Sequence, residues 1–209
     1  MLLKRLTSQL LLLAVSATLP LAAARAAEAS YRYDTVHSQI VFSIDHNGYS
    51  RPFGRLHIAK GWLRFDPDDW SKAATELDID LASLDMGDEA WNKAVGKPDF
   101  LDSGHTAYAH FVSTSVERKD DQHGLLHGQL SLRGVTRPLS LSFTLNRLAK
   151  TIYGLHTVAG FSATAMLDRT DFGITANQGS IGRSVSVWLE LEAIRDDAVQ
   201  TDSTNKEQP

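Results

Sequence analysis

The 209-residue chain contains no cysteine. That excludes every disulfide framework, every thiolate zinc or iron–sulfur site, every thiol nucleophile and any lipid anchor carried on an N-terminal cysteine. An excess of positive charge is also missing: 21 Lys and Arg stand against 25 Asp and Glu, a net of −4. Such a balance argues against nucleic acid as a partner and against electrostatic docking on anionic lipid. The usual catalytic signatures are absent: no G-x-S-x-G elbow, no H-E-x-x-H, no phosphate-cradling Gly loop followed by Lys, and no strand-then-helix alternation to hold one. Neither an internal repeat nor a low-complexity linker divides the chain, whose length suits one domain.

One long apolar run exists, Leu10 to Leu19, preceded by Lys4 and Arg5 and followed by Ala22-Ala23-Ala24-Arg25-Ala26. It is about half the ~20 residues that a spanning helix needs. The pattern predicts a secretory signal peptide over residues 1–26, cut after Ala26, and hence an exported, soluble, periplasmic protein. Losing Lys4, Arg5 and Arg25 leaves 18 basic residues against 25 acidic ones, a mature net charge of −7.

After that segment the dominant period is two. Ile40, Phe42, Ile44 and His46 alternate with Val41, Ser43 and Asp45; Leu139, Leu141, Phe143 and Leu145 alternate with Ser140, Ser142 and Thr144; Val185, Val187, Leu189 and Leu191 alternate with Ser186, Trp188 and Glu190. These are half-buried antiparallel strands. Further strand-like runs cover 56–65, 76–81, 107–116, 126–133 and 158–167, divided by turn signals such as Asp66-Pro67-Asp68-Asp69 and Lys119-Asp120-Asp121. Eight antiparallel strands at this spacing suggest an all-β barrel or sandwich over residues 27–195, with a polar tail, expected to be disordered, from Asp196 to Pro209. One segment breaks the period. Asp85 is expected to cap a short helix with Asp88 and Glu89 in its first turn, Trp91 and Val95 on one face, and Gly96 with Pro98 at its end.

Histidines are the available ligand set. His123 and His127 have helical ligand spacing, but in a strand that offset is about 13 Å, so no metal site is assigned. The carboxylate pairs at Asp66 with Asp68 and Asp69, and at Asp78 with Asp80, read as solvated outer faces. No catalytic residue is nominated. An enzyme on this scaffold would need a polar dyad inside the barrel, and His37 with Asp34 is the nearest pair.

Four stretches, in order and spread over most of the chain after residue 26, resemble the YceI-like family of exported polyprenoid-binding proteins. They are Asp34-Thr35-Val36-His37-Ser38 leading to Phe42-Ser43-Ile44-Asp45-His46; Ala82-Ser83-Leu84-Asp85 with Pro98-Asp99-Phe100-Leu101-Asp102; Leu132-Arg133-Gly134-Val135-Thr136-Arg137-Pro138; and Arg169-Thr170-Asp171-Phe172-Gly173-Ile174. The resemblance implies a lipocalin-like barrel whose lumen holds a long isoprenoid, a quinone or a polyprenyl lipid, with no other cofactor and no catalysis. In that setting Gly134 and Pro138 bracket a hairpin turn, and Asp171-Phe172-Gly173 tucks an aromatic against a barrel end. Where the family commonly carries an Arg-Asp-x-His-Leu-Arg-like stretch, this chain reads Trp91-Asn92-Lys93-Ala94-Val95-Gly96, so basic and imidazole positions fall on Trp91, Ala94 and Gly96.

The expected ligand-binding face follows from the alternation: Phe42, Ile44, Leu130, Leu132, Leu141, Phe143, Phe161 and Val187, with His46 ending one strand and Trp91 covering a mouth. The head group is expected to be neutral. Other expected partners are a transient membrane or membrane-protein contact and, at most, a second copy in a homodimer. A closed barrel serving as a stress-related interaction module is the other non-catalytic alternative.

Overall fold

A computed structural model describes residues 28–199. The expected signal segment and residues 200–209 of the expected tail lie outside the described residues.

Among the described residues the chain forms nine strands and one α-helix: β1 (Ala29–Tyr33), β2 (Gln39–His46), β3 (Phe53–Phe65), β4 (Ala74–Asp85), α1 (Glu89–Val95), β5 (Tyr108–Arg118), β6 (His123–Leu132), β7 (Val135–Lys150), β8 (Thr157–Asp168) and β9 (Ile181–Arg195). Short 3-10 turns lie at Trp70–Lys72 and Arg169–Phe172. All pairings are antiparallel, and β3 meets β4 to close the sheet.

The nine strands make an eight-stave barrel, because β1 and β2 share one position. β1 pairs with the lower part of β3 (Trp62 to Phe65) and of β9 (Ala193 to Arg195), while β2 pairs with Phe53 to Leu56 and with Ile181 to Glu190. The break between them is fastened by the Asp34-to-Ser38 motif. The Asp34 carboxylate accepts from the Val36 and His37 amides, and the Ser38 hydroxyl both donates to the Glu192 carbonyl and accepts from the Glu192 amide. A polar turn is thereby tied to β9, so few backbone groups are left unpaired at the interruption.

Two local expectations are corrected. Asp85 does not cap the helix: its carboxylate accepts from Gly87 N, while Asp88 caps α1 by accepting from the Trp91 amide. Pro138 lies within β7, opposite Gln129, and is not part of a turn. The turn is Arg133-Gly134, both at positive φ, as a tight hairpin requires. Proline is tolerated inside β7 because β7 pairs with β8 only from Ser142 onward, which leaves that edge of the strand without a ladder to interrupt.

Candidate ligand-binding site

Inward-facing side chains surround an elongated cavity of about 270 Å3. All ten residues singled out from the sequence line it: Phe42, Ile44, His46, Trp91, Leu130, Leu132, Leu141, Phe143, Phe161 and Val187. Contributions that the alternation did not reveal come from irregular stretches, namely Phe100 and Leu101 after α1 and Ile174 ahead of β9, and from Ile181 at the start of β9.

Three glycines keep this space open. Gly54, Gly124 and Gly128 face the lumen beside the rings of Phe42, Phe143 and Phe111, and at each an added Cβ would overlap the neighbouring ring. Each phenylalanine ring thus lies against the bare backbone of a glycine and lines the lumen from there.

At one end an aromatic cluster fills the barrel. Trp70 stacks on Phe143 with centroids 5.4 Å apart, Phe65 meets Trp70 at 5.7 Å and Phe161 at 5.6 Å, and Phe143 meets Phe161 at 6.1 Å. The Arg118 guanidinium lies 4.9 Å from the Trp70 ring centroid, and the indole N–H donates to the Pro67 carbonyl. Phe65 and Trp70 are each only 2% exposed.

The opposite end is covered more lightly. α1 buries none of its own residues. It is held by its Asp88 cap, by the Met86 amide donating to Asn92 Oδ1 at 2.6 Å, and by the Leu101 amide donating to the Val95 carbonyl. Trp91 and Val95 face the cavity, and Trp91 meets the His46 ring edge-on at 5.9 Å. Arg169 closes the side of this end. Its guanidinium donates to the carbonyls of Ile174, Ile181 and Gly182, pinning the segment ahead of β9, and burial lowers its pKa. Phe172 is buried beside it, and Gly173 turns the chain at φ 74°.

Polar groups on the cavity wall are few and mostly occupied. The Tyr33 hydroxyl bonds Thr75 Oγ1 at 2.6 Å, and Thr75 donates to the Trp62 carbonyl. Burial pushes the Tyr33 phenol up to about 12. Among the described residues the His46 ring and the Trp91 indole N–H line the cavity without a hydrogen bond.

The Asp34 and His37 pair does not line this cavity. His37 Nδ1 lies 2.8 Å from Asp34 Oδ2 on the outer surface, and that hydrogen bond raises the imidazole pKa. Asp34, His37 and Glu192 bring their ligand atoms within 4.8 Å of one another there. Asp34 is occupied in capping the strand break. His123 and His127 make separate contacts, with Asp120 and Ser140.

Residues 31–193 match the YceI-like domain. This chain belongs to the YceI-like family. It is 32% identical over 186 residues to a UPF0312 protein of Shewanella sp. strain W3-18-1, covering 88% of this chain and 95% of that one. Solved structures share the fold at lower identity. BcnA of Burkholderia cenocepacia superposes with a TM-score of 0.69 at 18% identity, covering 77% of this chain and 98% of its own. A polyisoprenoid binding domain from Saccharophagus degradans, implicated in plant cell wall breakdown, gives 0.60 at 14%, covering 80% and 99%.

Proposed function

We propose that this protein is an exported, non-catalytic carrier that holds the tail of a long-chain isoprenoid, a quinone or polyprenyl lipid, within its barrel in the periplasm. The observation that carries this reading is the cavity wall, which is almost all carbon from Trp91 at one end to the Phe143 and Phe161 rings at the other. Burying one CH2 is worth about 0.8 kcal/mol, whereas association costs about 4 to 15 kcal/mol, so a ligand of a few carbons barely breaks even and a chain of tens of carbons binds. The description of the S. degradans neighbour as polyisoprenoid-binding supports the same class of ligand.

A tail-only lumen puts the head group at the lightly covered end. His46 is placed there with an unused ring and gives one hydrogen bond to a carbonyl or hydroxyl, which suits a neutral head. The helix supplies no cation facing the cavity at the three positions where the family commonly has basic or imidazole side chains.

Native mass spectrometry with solvent extraction of the purified protein tests this reading. A co-purifying isoprenoid is expected, and Phe143→Asp should abolish it by placing a charge on the lumen wall. A compact protein without lipid, or a folded Phe143→Asp variant that still carries it, contradicts the assignment.

A further inference from the structure

The lumen accounts for the inward halves of β2, β3, β8 and β9 but not for what these strands show to solvent. On β4 the outer face is polar: its outward residues include Glu76, Asp78 and Asp80, with His110 placed between Glu76 and Asp78 and Lys60 on Asp78. Around the β2–β3 connection it is apolar. The register sets Phe53, Ser43, Ser186 and Met166 in one cross-strand row, and Arg55, Val41, Trp188 and Thr164 in the next. Phe53 (62% exposed) packs its ring 6.0 Å from that of Trp188 (41%), with Met166 (68%) alongside. Tyr49, just past the Asn47-Gly48 turn, is 92% exposed.

The segment at the centre of this surface is basic, unlike the chain as a whole. From Tyr49 to Arg55 there are two arginines and no acid. Arg51 and Arg55 make no ion pair among the described residues. The adjacent carboxylates of Asp45 and Asp85 accept from the amides of Gly48 and Gly87 and keep their charge, so the surface is locally close to neutral, with two arginines on it that no acid pairs. The net negative charge is an average over the whole surface, and within about 8 Å, one Debye length, a local group outweighs it.

We infer that this face is the surface on which the protein rests on a phospholipid bilayer, with Tyr49, Phe53, Trp188 and Met166 at the interface and Arg51 and Arg55 on lipid phosphates. Tyrosine and tryptophan favour the headgroup level because their rings are apolar and their tips are polar. Arginine binds phosphate through paired N–H donors. A second copy of this chain fits less well, because a two-fold contact through this patch brings the same unpaired arginines toward one another. The placement also serves the lumen. Pro52 and His46, at the two sides of the same connection, line the cavity, so contact here sets the lightly covered end against the bilayer. This role rests on the carrier reading; the contact itself does not.

Co-sedimentation with isoprenoid-free vesicles separates the two. The purified protein should bind vesicles of phosphatidylethanolamine with phosphatidylglycerol. Tyr49→Ser with Phe53→Ser should lose binding both to these and to phosphatidylcholine vesicles while keeping the fold, with a melting temperature within about 5 °C of wild type, because Tyr49 is exposed and Phe53 gives up only its contact with Trp188. Arg51→Gln with Arg55→Gln should weaken binding to the anionic vesicles about thirtyfold, and far less to phosphatidylcholine. Ile152→Ser with Tyr153→Ser is the control: these residues are also exposed and apolar, but they sit in the β7–β8 hairpin at the other end, and binding should not change. The proposal is overturned if the wild type ignores vesicles, if the hairpin variant is the one that detaches, or if the Tyr49 and Phe53 changes only dissolve a dimer seen by sedimentation. A protein that binds vesicles yet purifies without isoprenoid sinks the carrier reading and leaves this contact standing.

Discussion

The two ends of the barrel are made differently. At one, Phe65, Trp70, Phe143 and Phe161 form a single ring cluster with Arg118 over it, and two of the rings are almost wholly buried. At the other, a seven-residue helix with no buried side chain lies over the lumen, tied by a cap and a few hydrogen bonds. Aromatic pairs contribute about 0.5–1.5 kcal/mol each beyond their buried area. The first end is therefore a share of the core, and the second is a cover whose removal costs the fold little. On the proposed carrier reading, staying folded and admitting a long chain are tasks divided between the two ends.

The sharpest way to break this contrast is to truncate one ring at each end. Trp70→Ala should cost about 3–5 kcal/mol and lower the melting temperature by about 10 °C. Trp91→Ala should move it by no more than about 2 °C. Equal shifts in thermal denaturation would mean that the ends are not distinct.

Next in size is the lumen wall. Gly54→Ala with Gly128→Ala forces the Phe42 and Phe111 rings off the wall and into the cavity. We expect a folded protein whose extracted lipid falls well below the wild-type ratio; an unchanged ratio would show that the rings have room to move elsewhere.

A variant keeping Trp91 as its sole tryptophan, with Trp62, Trp70 and Trp188 changed to phenylalanine, reports on the cover. Its emission should shift when a long-chain quinone is added, because Trp91 faces the cavity. A flat response would place the ligand away from α1.

The smallest expected effect is on pH dependence, and it probes both ends. Asp168 is held down to about 2 by the Thr170 hydroxyl and amide and by Arg183; Asp120, in the β5–β6 hairpin at the aromatic end, is held down to about 2 by the Gln122 and His123 amides and the His123 ring. A carboxyl depressed in the folded state stabilises the fold above its ordinary range, and that contribution fades as pH falls from about 4 to about 2. Asp168→Asn and Asp120→Asn should each flatten that part of the stability profile in unfolding measured across acid pH.

Most of the barrel is legible in the sequence because a half-buried strand writes its two faces alternately, as in Ile40 to His46 or Val185 to Leu191. What escaped is what alternation does not encode. β1 is five residues long and directly follows the expected signal segment, so Tyr31 and Tyr33 form too short a run to register, although both are buried. Asp85 and Asp88 are equally good caps by type, and only the Gly87 turn decides between them. Pro138 reads as a turn residue until the unpaired edge of β7 is known. At the site, the inward face is readable, but the rings laid over glycines are not, since those contacts join different strands. Nor is the Arg169 clamp, which reaches carbonyls up to 13 residues away. Phe100 and Leu101 reach the lumen from a segment with no period at all.

The central claim is that the lumen grips a tail and leaves the head group outside. Affinities should be measured for one quinone head carrying isoprenoid chains of increasing length, and for one chain length carrying a quinone, an alcohol or a diphosphate. The account predicts that affinity climbs with each added isoprene unit and changes far less across the heads, with the neutral ones ahead. Affinity that is flat with chain length and set by the head group would contradict it.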